Sequence, residues 1–489
     1  MHTQMDITPR INFDTILEVM KACPRDDCAR FMRTCRFLYN NGHKVLLSHP
    51  LYFGAEKDVL RVLEYLQLQS DRRSRHVYSI HFNMGAAELS ESTALALAAA
   101  LPKMYRIQEL LISDSEYFLS SHPDLFHATV ALTSLRSLHL SDMGDFAVEM
   151  LLSLRSELAN VLLDFDVDTP FENPQGLLGL PKLLAHSQAT LKEVAINRWY
   201  DLPATWASDE PPLALTETRR LLLGQPLHPP LALSYTRTFP ALSQLSLGTG
   251  ESEMLDVEHV RQLNISDLGK SGCAWKGLEE LDGKLVDIYA LALPCTVERV
   301  HLSEMTLHET HMLRLALYHA RPRTLRMDKM PIGRPQDPAS NVFAAFRGQG
   351  GSRLGVLTME VELRKNNSDI DVATVLEELF AALAAGAPLQ ELRLDVKFAK
   401  VDPRPMKVIT RPVPKRSRRR RGDPLPDIKE YPLTVAEKSV VDFDPRDYLR
   451  RFTAAIPTLR VVKMKFGGVR GLRKVVTLAD GEVHVDGSW

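Results

Sequence analysis

The chain carries two hydrophobic rhythms, and the first to appear is helical. Between Asp14 and Leu47 apolar residues recur at steps of three and four, as on one face of a helix. The spacing predicts a helix over 14–21, with Ile16, Leu17, Val19 and Met20 as its apolar positions. Pro24 then suits the start of a second helix, where Asp26 and Asp27 favour the first turn. That helix carries Cys28, Phe31, Met32 and Cys35 at i, i+3, i+4 and i+7. A third is expected from Arg36 to about Leu47, interrupted near Asn41-Gly42. These helices hold more apolar side chains than three short segments can hide by packing on one another.

After residue 70 the rhythm changes, and short phrases place apolar residues at i, i+3 and i+5. They begin with Val77-Ile80-Phe82, Ile107-Leu110-Ile112, Leu135-Leu138-Leu140, Leu158-Val161-Leu163 and Leu191-Val194-Ile196. They continue with Leu242-Leu245-Leu247, Val297-Val300-Leu302, Leu354-Leu357-Met359, Leu389-Leu392-Leu394 and Leu459-Val462-Met464. The last two positions alternate as a strand does, and the first leads in from a turn. Helix-like stretches such as SESTALALAAALPKM and GDFAVEMLLSLRSELA lie between them. One strand and one helix per unit predicts an α/β leucine-rich-repeat-like solenoid over 70–489, because such a unit buries its apolar face only by stacking on neighbours. The rival reading is an all-helical stack with the phrases at helix ends. Spacing between phrases is uneven, and Met143, Met305 and Lys397 stand where regular repeats place Asn or Cys, so the repeats are expected to be irregular. Two long insertions are expected as loops, a proline-rich one at 198–240 and a basic one at 400–444. The ending KVVTLADGEVHV reads as a hairpin about Asp480-Gly481.

Composition narrows the function by exclusion. A length of 489 residues exceeds what one globular core fills, which suits a core that grows lengthwise. The formal net charge of −1 gives no global field toward nucleic acid or acidic lipid. Five scattered cysteines form no disulfide framework, and no apolar run is long enough to span a bilayer. A cytoplasmic or nuclear protein with no membrane partner is the expectation.

Candidate chemistry fails motif by motif. Gly269-Lys270-Ser271 lacks the upstream glycine of a phosphate loop, because Asn264 stands there. His308-Glu309-Thr310-His311 sets its histidines three apart where a zinc-protease helix needs four. Cys23, Cys28 and Cys35 match no zinc spacing and read as small buried hydrophobes. No catalytic set, cofactor or metal is expected, so the chain is read as a binding protein and not an enzyme. In such repeats the residue between the last two apolar positions faces outward, which nominates His81, His139, His301, Arg393 and Lys463 as target contacts. The basic run Lys415, Arg416, Arg418, Arg419, Arg420 and Arg421 is a candidate nuclear signal. It has no interleaved aromatics, so nucleic acid is not the expected partner.

The N-terminal segment resembles an F-box, the helical motif that docks on Skp1 in SCF ubiquitin ligases. Ile11, Asp14, Thr15, Ile16, Leu17, Val19 and Met20 follow that family's opening pattern. Phe31-Met32-Arg33-Thr34-Cys35-Arg36-Phe37-Leu38 is similar to its closing one, and MRTCRFLYNNG resembles the fungal type. Asn12, Thr34 and Leu38 depart from the family's proline, valine and tryptophan. The resemblance implies an F-box-like helical domain at 7–50 with a Skp1-binding face of Ile11, Ile16, Leu17, Val19, Phe31, Cys35 and Leu38. It further implies a non-catalytic substrate-recognition subunit that reaches a cullin ligase through Skp1 and holds an unknown protein target on its repeats. The alternative is a repeat-based interaction scaffold with no ubiquitin-ligase role.

Overall fold

The computed structural model describes residues 12–67, 72–84, 89–166, 180–198, 214–224, 230–248, 256–272, 274–332, 341–401, 407–409, 428–430, 432–469, 472–479 and 481–486. The chain divides into two compact units, residues 1–228 with 237–241 and residues 229–236 with 242–489.

The first unit opens with three helices. In α1 (Phe13–Ala22) the Asn12 side chain caps the first turn by accepting from Asp14 N at 3.1 Å. Helix α2 (Arg25–Met32) begins directly after Pro24, which has no N–H to leave unpaired at a helix start. Helix α3 (Arg36–Leu46) runs unbroken through Asn41-Gly42, contrary to the expected interruption. The reason is packing: a Cβ on Gly42 would lie 2.7 Å from Met32 Cγ and 2.9 Å from Met20 Cε. The glycine serves close helix contact, and its cost in helix propensity is offset there.

Seven parallel strands follow, paired in chain order: β1 (Leu51–Phe53), β2 (Ser79–Phe82), β3 (Glu109–Ile112), β4 (Ser137–Met143), β5 (Asn160–Phe165), β6 (Glu193–Asn197) and β7 (Arg220–Gly224). Between them lie α4 (Glu56–Gln67), α5 (Glu91–Ala100), α6 (Ser115–Ser121), α7 (Pro123–Val130), α8 (Asp145–Ser153) and the single turn α9 (Leu180–Leu183). One strand face is buried at every second residue, as in Leu138, Leu140, Val161 and Leu163.

The second unit repeats the plan. Strands β8 (Gln244–Leu247), β9 (Gly277–Gly283), β10 (Thr296–Leu302), β11 (Thr324–Met330), β12 (Val356–Arg364) and β13 (Glu391–Lys400) are parallel in order. A separate hairpin joins β14 (Lys407–Ile409) and β15 (Ile428–Glu430). Strand β16 (Val461–Val469) pairs parallel with β13. Strands β17 (Leu472–Ala479) and β18 (Glu482–Asp486) then turn antiparallel, with Gly481 at φ 82° between them.

All ten phrases coincide with strands, and the chain is a mixed α/β protein with parallel, leucine-rich-repeat-like pairing. Asparagine bonds a turn between repeats at Asn367, which accepts from Arg364 N at 3.0 Å and donates to Ile332 O at 3.2 Å, but backbone carbonyls do most of this work. At the start of β3 to β7, β12, β13 and β16 two consecutive N–H groups share one carbonyl of the previous repeat, as Arg136 and Ser137 share Gln108 O, and Lys192 and Glu193 share Ala159 O. Hydroxyls reinforce the relay: Ser134 donates to Ile107 O at 2.6 Å, Thr190 to Leu158 O at 2.9 Å and Thr458 to Leu389 O at 2.8 Å. These bonds satisfy backbone groups that would otherwise be buried unpaired. Met143 and Met305, standing where regular repeats use asparagine, are instead buried core.

The expected loop at 198–240 needs correction, because it contains β7 and the helix α10 (Ala232–Thr238). Its phrase is Thr218-Leu221-Leu223, with a hydroxyl in the leading apolar place. Thr218 is fully buried and donates to Leu191 O at 3.0 Å. Within the expected loop at 400–444 the structure likewise contains β14, β15 and α15 (Val435–Asp442), while the basic run at 415–421 lies outside the described residues.

Two buried polar groups give stability tests in the second unit. On α11 (Val257–Ser271), Asn264 accepts from Ala232 N at 2.9 Å and donates to Pro230 O and Ala290 O at 3.0 and 2.8 Å. Asn264→Ala strands all three backbone groups and is expected to cost about 2–3 kcal/mol in a urea titration. On α12 (Leu285–Leu291), burial pushes the Asp287 carboxyl up to about 6; Lys284 opposes this and Glu309 adds to it. A raised carboxylate favours folding only once protonated, so its charge weakens the fold above about pH 6 and ceases to as pH falls. Asp287→Asn should therefore stabilise by about 1 kcal/mol near pH 8, discounted for partial exposure, with the gap narrowing below about pH 6 and closing only near the unfolded carboxylate value of about pH 4.

Candidate functional site

Two surfaces are built from the residues that the sequence nominates. The first lies on the three helices. Their own core is filled by Met20, Cys28, Met32, Leu38 and Val45. Cys28 Sγ donates to Met20 O at 2.8 Å, and burial pushes its thiol up. Ile16, Leu17, Phe31 and Cys35 are half-buried against this core and show only their edges. Val19 is 48% exposed. Leu38 has to be corrected: at 2% exposure it is core and has no surface to offer. Docking of α3 on α1 and α2 turns Leu38 inward and its neighbour Phe37 outward, since adjacent helical residues point about 100° apart. Ile11 lies outside the described residues.

Phe37 stacks with Phe13, ring centroids 4.6 Å apart, and both rings are substantially exposed. Neither was singled out: Phe13 is in step with Ile16, Leu17 and Met20 but precedes the expected helix start at Asp14, and Phe37 stands off the stripe of its helix. For Phe37 the one available signal was an aromatic ring among polar neighbours, Asn40, Asn41 and Lys44, on its helix face.

The second surface is the outward row of the strands, and register reads it off. In the first unit Tyr52, His81, Leu111, His139, Leu162, Ala195 and Leu222 stand side by side from β1 to β7. It is largely apolar. His81 is nearly enclosed, with its Nε2 3.0 Å from Ser79 Oγ and its ring 4.7 Å edge-on to Tyr52. Burial holds His139 below the usual imidazole range; the Asp164 carboxylate opposes this. Arg198, at the end of β6, bonds Asp164 at 2.8 Å and reaches Asp142 at 3.4 Å.

In the second unit the corresponding strand positions carry their own row, Ser246, Asp282, His301, Arg326, Thr358, Arg393 and Lys463. It is charged and largely self-neutralised. His301 lies 2.9 Å from Asp282 through Nδ1 and 2.8 Å from Asp328 through Nε2. Arg326 pairs with Asp328 at 3.0 Å, Lys465 with Asp395 at 2.8 Å, and Arg393 with Glu391. Asp328 is held below the usual carboxylate range: burial alone would raise it, but the Arg326 and His301 bonds together outweigh that. His81 and His139 are separated by the strand that carries Leu111, so they do not converge on one ion. Among the described residues no three His, Cys, Asp or Glu side chains gather as metal ligands, and no helix is long and apolar enough to cross a membrane.

No family model matches the chain, and no curated protein does. Among solved structures it is similar to the crystal structure of a TLR13–ssRNA13 complex, at 14% identity and a TM-score of 0.33. The match covers 67% of this chain and 44% of that one, so the chain spans less than half the length of the structure it matches.

Proposed function

We propose that the chain is a non-catalytic substrate-recognition subunit of an SCF ubiquitin ligase. Its three N-terminal helices dock on a Skp1-like adaptor and, through it, a cullin ligase, and its strand rows hold a protein target. The observation that carries this reading is the exposed Phe13–Phe37 pair, with Val19, on helices whose internal core is already complete. With the core filled, Phe13 and Phe37 cover only each other and stay largely exposed with Val19, and burying apolar surface of this kind is the driving force of specific association. The F-box resemblance supplies the partner's identity. Chemistry in this reading belongs to the ligase, and the adaptor raises the effective concentration of target lysines near it.

Size-exclusion chromatography of the full chain with purified Skp1 tests the docking half. Co-elution as a complex is expected. A folded chain that elutes alone would make it an interaction scaffold with no ligase role.

A further inference from the structure

Where α3 and α4 meet the short turn Ser74–His76, the first unit buries a cation without a counter-ion. Arg73 is 1% exposed, and no carboxylate of the described residues pairs with it. Its guanidinium sits over the Tyr65 ring at 4.1 Å, with the Tyr39 ring 5.9 Å away, and donates one bond, from Nη1 to Tyr65 O at 2.8 Å. Three buried polar atoms around it have no hydrogen-bond partner: Arg73 Nε, Tyr65 Oη and His43 Nδ1. Stacking on aromatic faces compensates a guanidinium only in part, and an unpaired buried charge remains costly.

The surroundings add to the positive charge. Lys44, Arg75 and Arg106 act on the neighbouring His76, and Arg25 acts on Tyr65. His43 and His76 rings lie 5.5 Å apart, and both are held below the usual imidazole range by burial and by these cations, His76 at about 4. Asp26 acts on Arg25, at the edge of this group. The cluster lies just beneath the surface, since Tyr39 is 43% exposed.

We propose that this junction binds a phosphate-class oxyanion, seated against the Arg73 guanidinium, the Tyr65 hydroxyl and the His43 ring nitrogen. Such an ion supplies in one step the missing negative charge and acceptors for the three unpartnered groups. It would also tie α3 to α4 and the start of β2, so binding and folding of this part are linked.

The test is thermal unfolding of the full chain at matched ionic strength with inorganic phosphate, O-phosphoserine or chloride. Phosphate is expected to raise Tm by roughly 2–4 °C at saturation, and chloride to leave it unchanged. O-phosphoserine separates sources: a matching rise means that the site accepts phosphate carried on a larger molecule, and no rise restricts it to the free ion. Arg73→Met should abolish the response and Arg299→Met, on β10, should keep it. Equal behaviour in phosphate and chloride, or an Arg73→Met protein that still responds, overturns the proposal. Should Arg73→Met fail to fold, His43→Gln replaces it and is expected to weaken the phosphate response several-fold.

Discussion

A Val19→Asp/Phe37→Asp protein is expected to fold as wild type does and to lose Skp1. Both side chains are well exposed, 48% and 39%, so the new carboxylates remain in water and the free protein tolerates them. In a complex the same carboxylates would be pressed into apolar contact, and an unpaired charge there costs several kcal/mol. Affinity should fall at least about 30-fold, the loss that truncating an interface hot spot brings. Thermal unfolding and a quantitative pull-down, run on one preparation, check both halves of this expectation. Leu38→Asp is the contrasting control. It places the charge within the core of Met20, Cys28, Met32 and Val45, and should lose binding by unfolding the helices. Retention of Skp1 by the double variant at wild-type strength would end the docking assignment.

Phe82→Ala should give the largest stability loss in the first unit, about 3–5 kcal/mol. Phe82 is 2% exposed and stacks between Phe53 at 5.2 Å and Phe118 at 4.6 Å, joining β1, β2 and α6. Its removal leaves a void that neighbouring strands cannot close without abandoning their register. Because each repeat contacts mainly its neighbours, the damage is expected to stay local. Hydrogen exchange should show amides of β1 to β3 losing protection while those of β12 and β13 keep theirs. Uniform loss along the whole chain would mean that the repeats unfold as one cooperative block.

Strand positions were legible because alternation is a local signal. A phrase with apolar side chains at all three positions became a strand each time. Three of the missed strands lack one of the three apolar positions. Thr218 leads β7, Pro322 leads β11, and Gly283 ends β9, where a Cβ would come within 3.1 Å of Leu247. At Thr218 and Gly283 the place is filled by what a neighbouring repeat allows, a hydroxyl bond or a close backbone approach, and periodicity within one phrase carries no trace of that. The outward residues could likewise be named in advance, since the side-chain period of two sets them. Their partners could not: His301 finds Asp282 and Asp328 on strands that reach it only through the sheet.

What the amino-acid sequence determined by itself is the strand-and-helix repeat, the place of ten of its strands and the face of each of those that is buried. Those follow from steric and hydrophobic periodicities that span a few residues. Tertiary structure alone decided that Leu38 is core while Phe37 is surface, that Gly42 lies inside a helix and that Arg73 is buried without an acid. Each depends on the angle at which one element docks on another, which the packing of the whole set of side chains settles and no local pattern encodes.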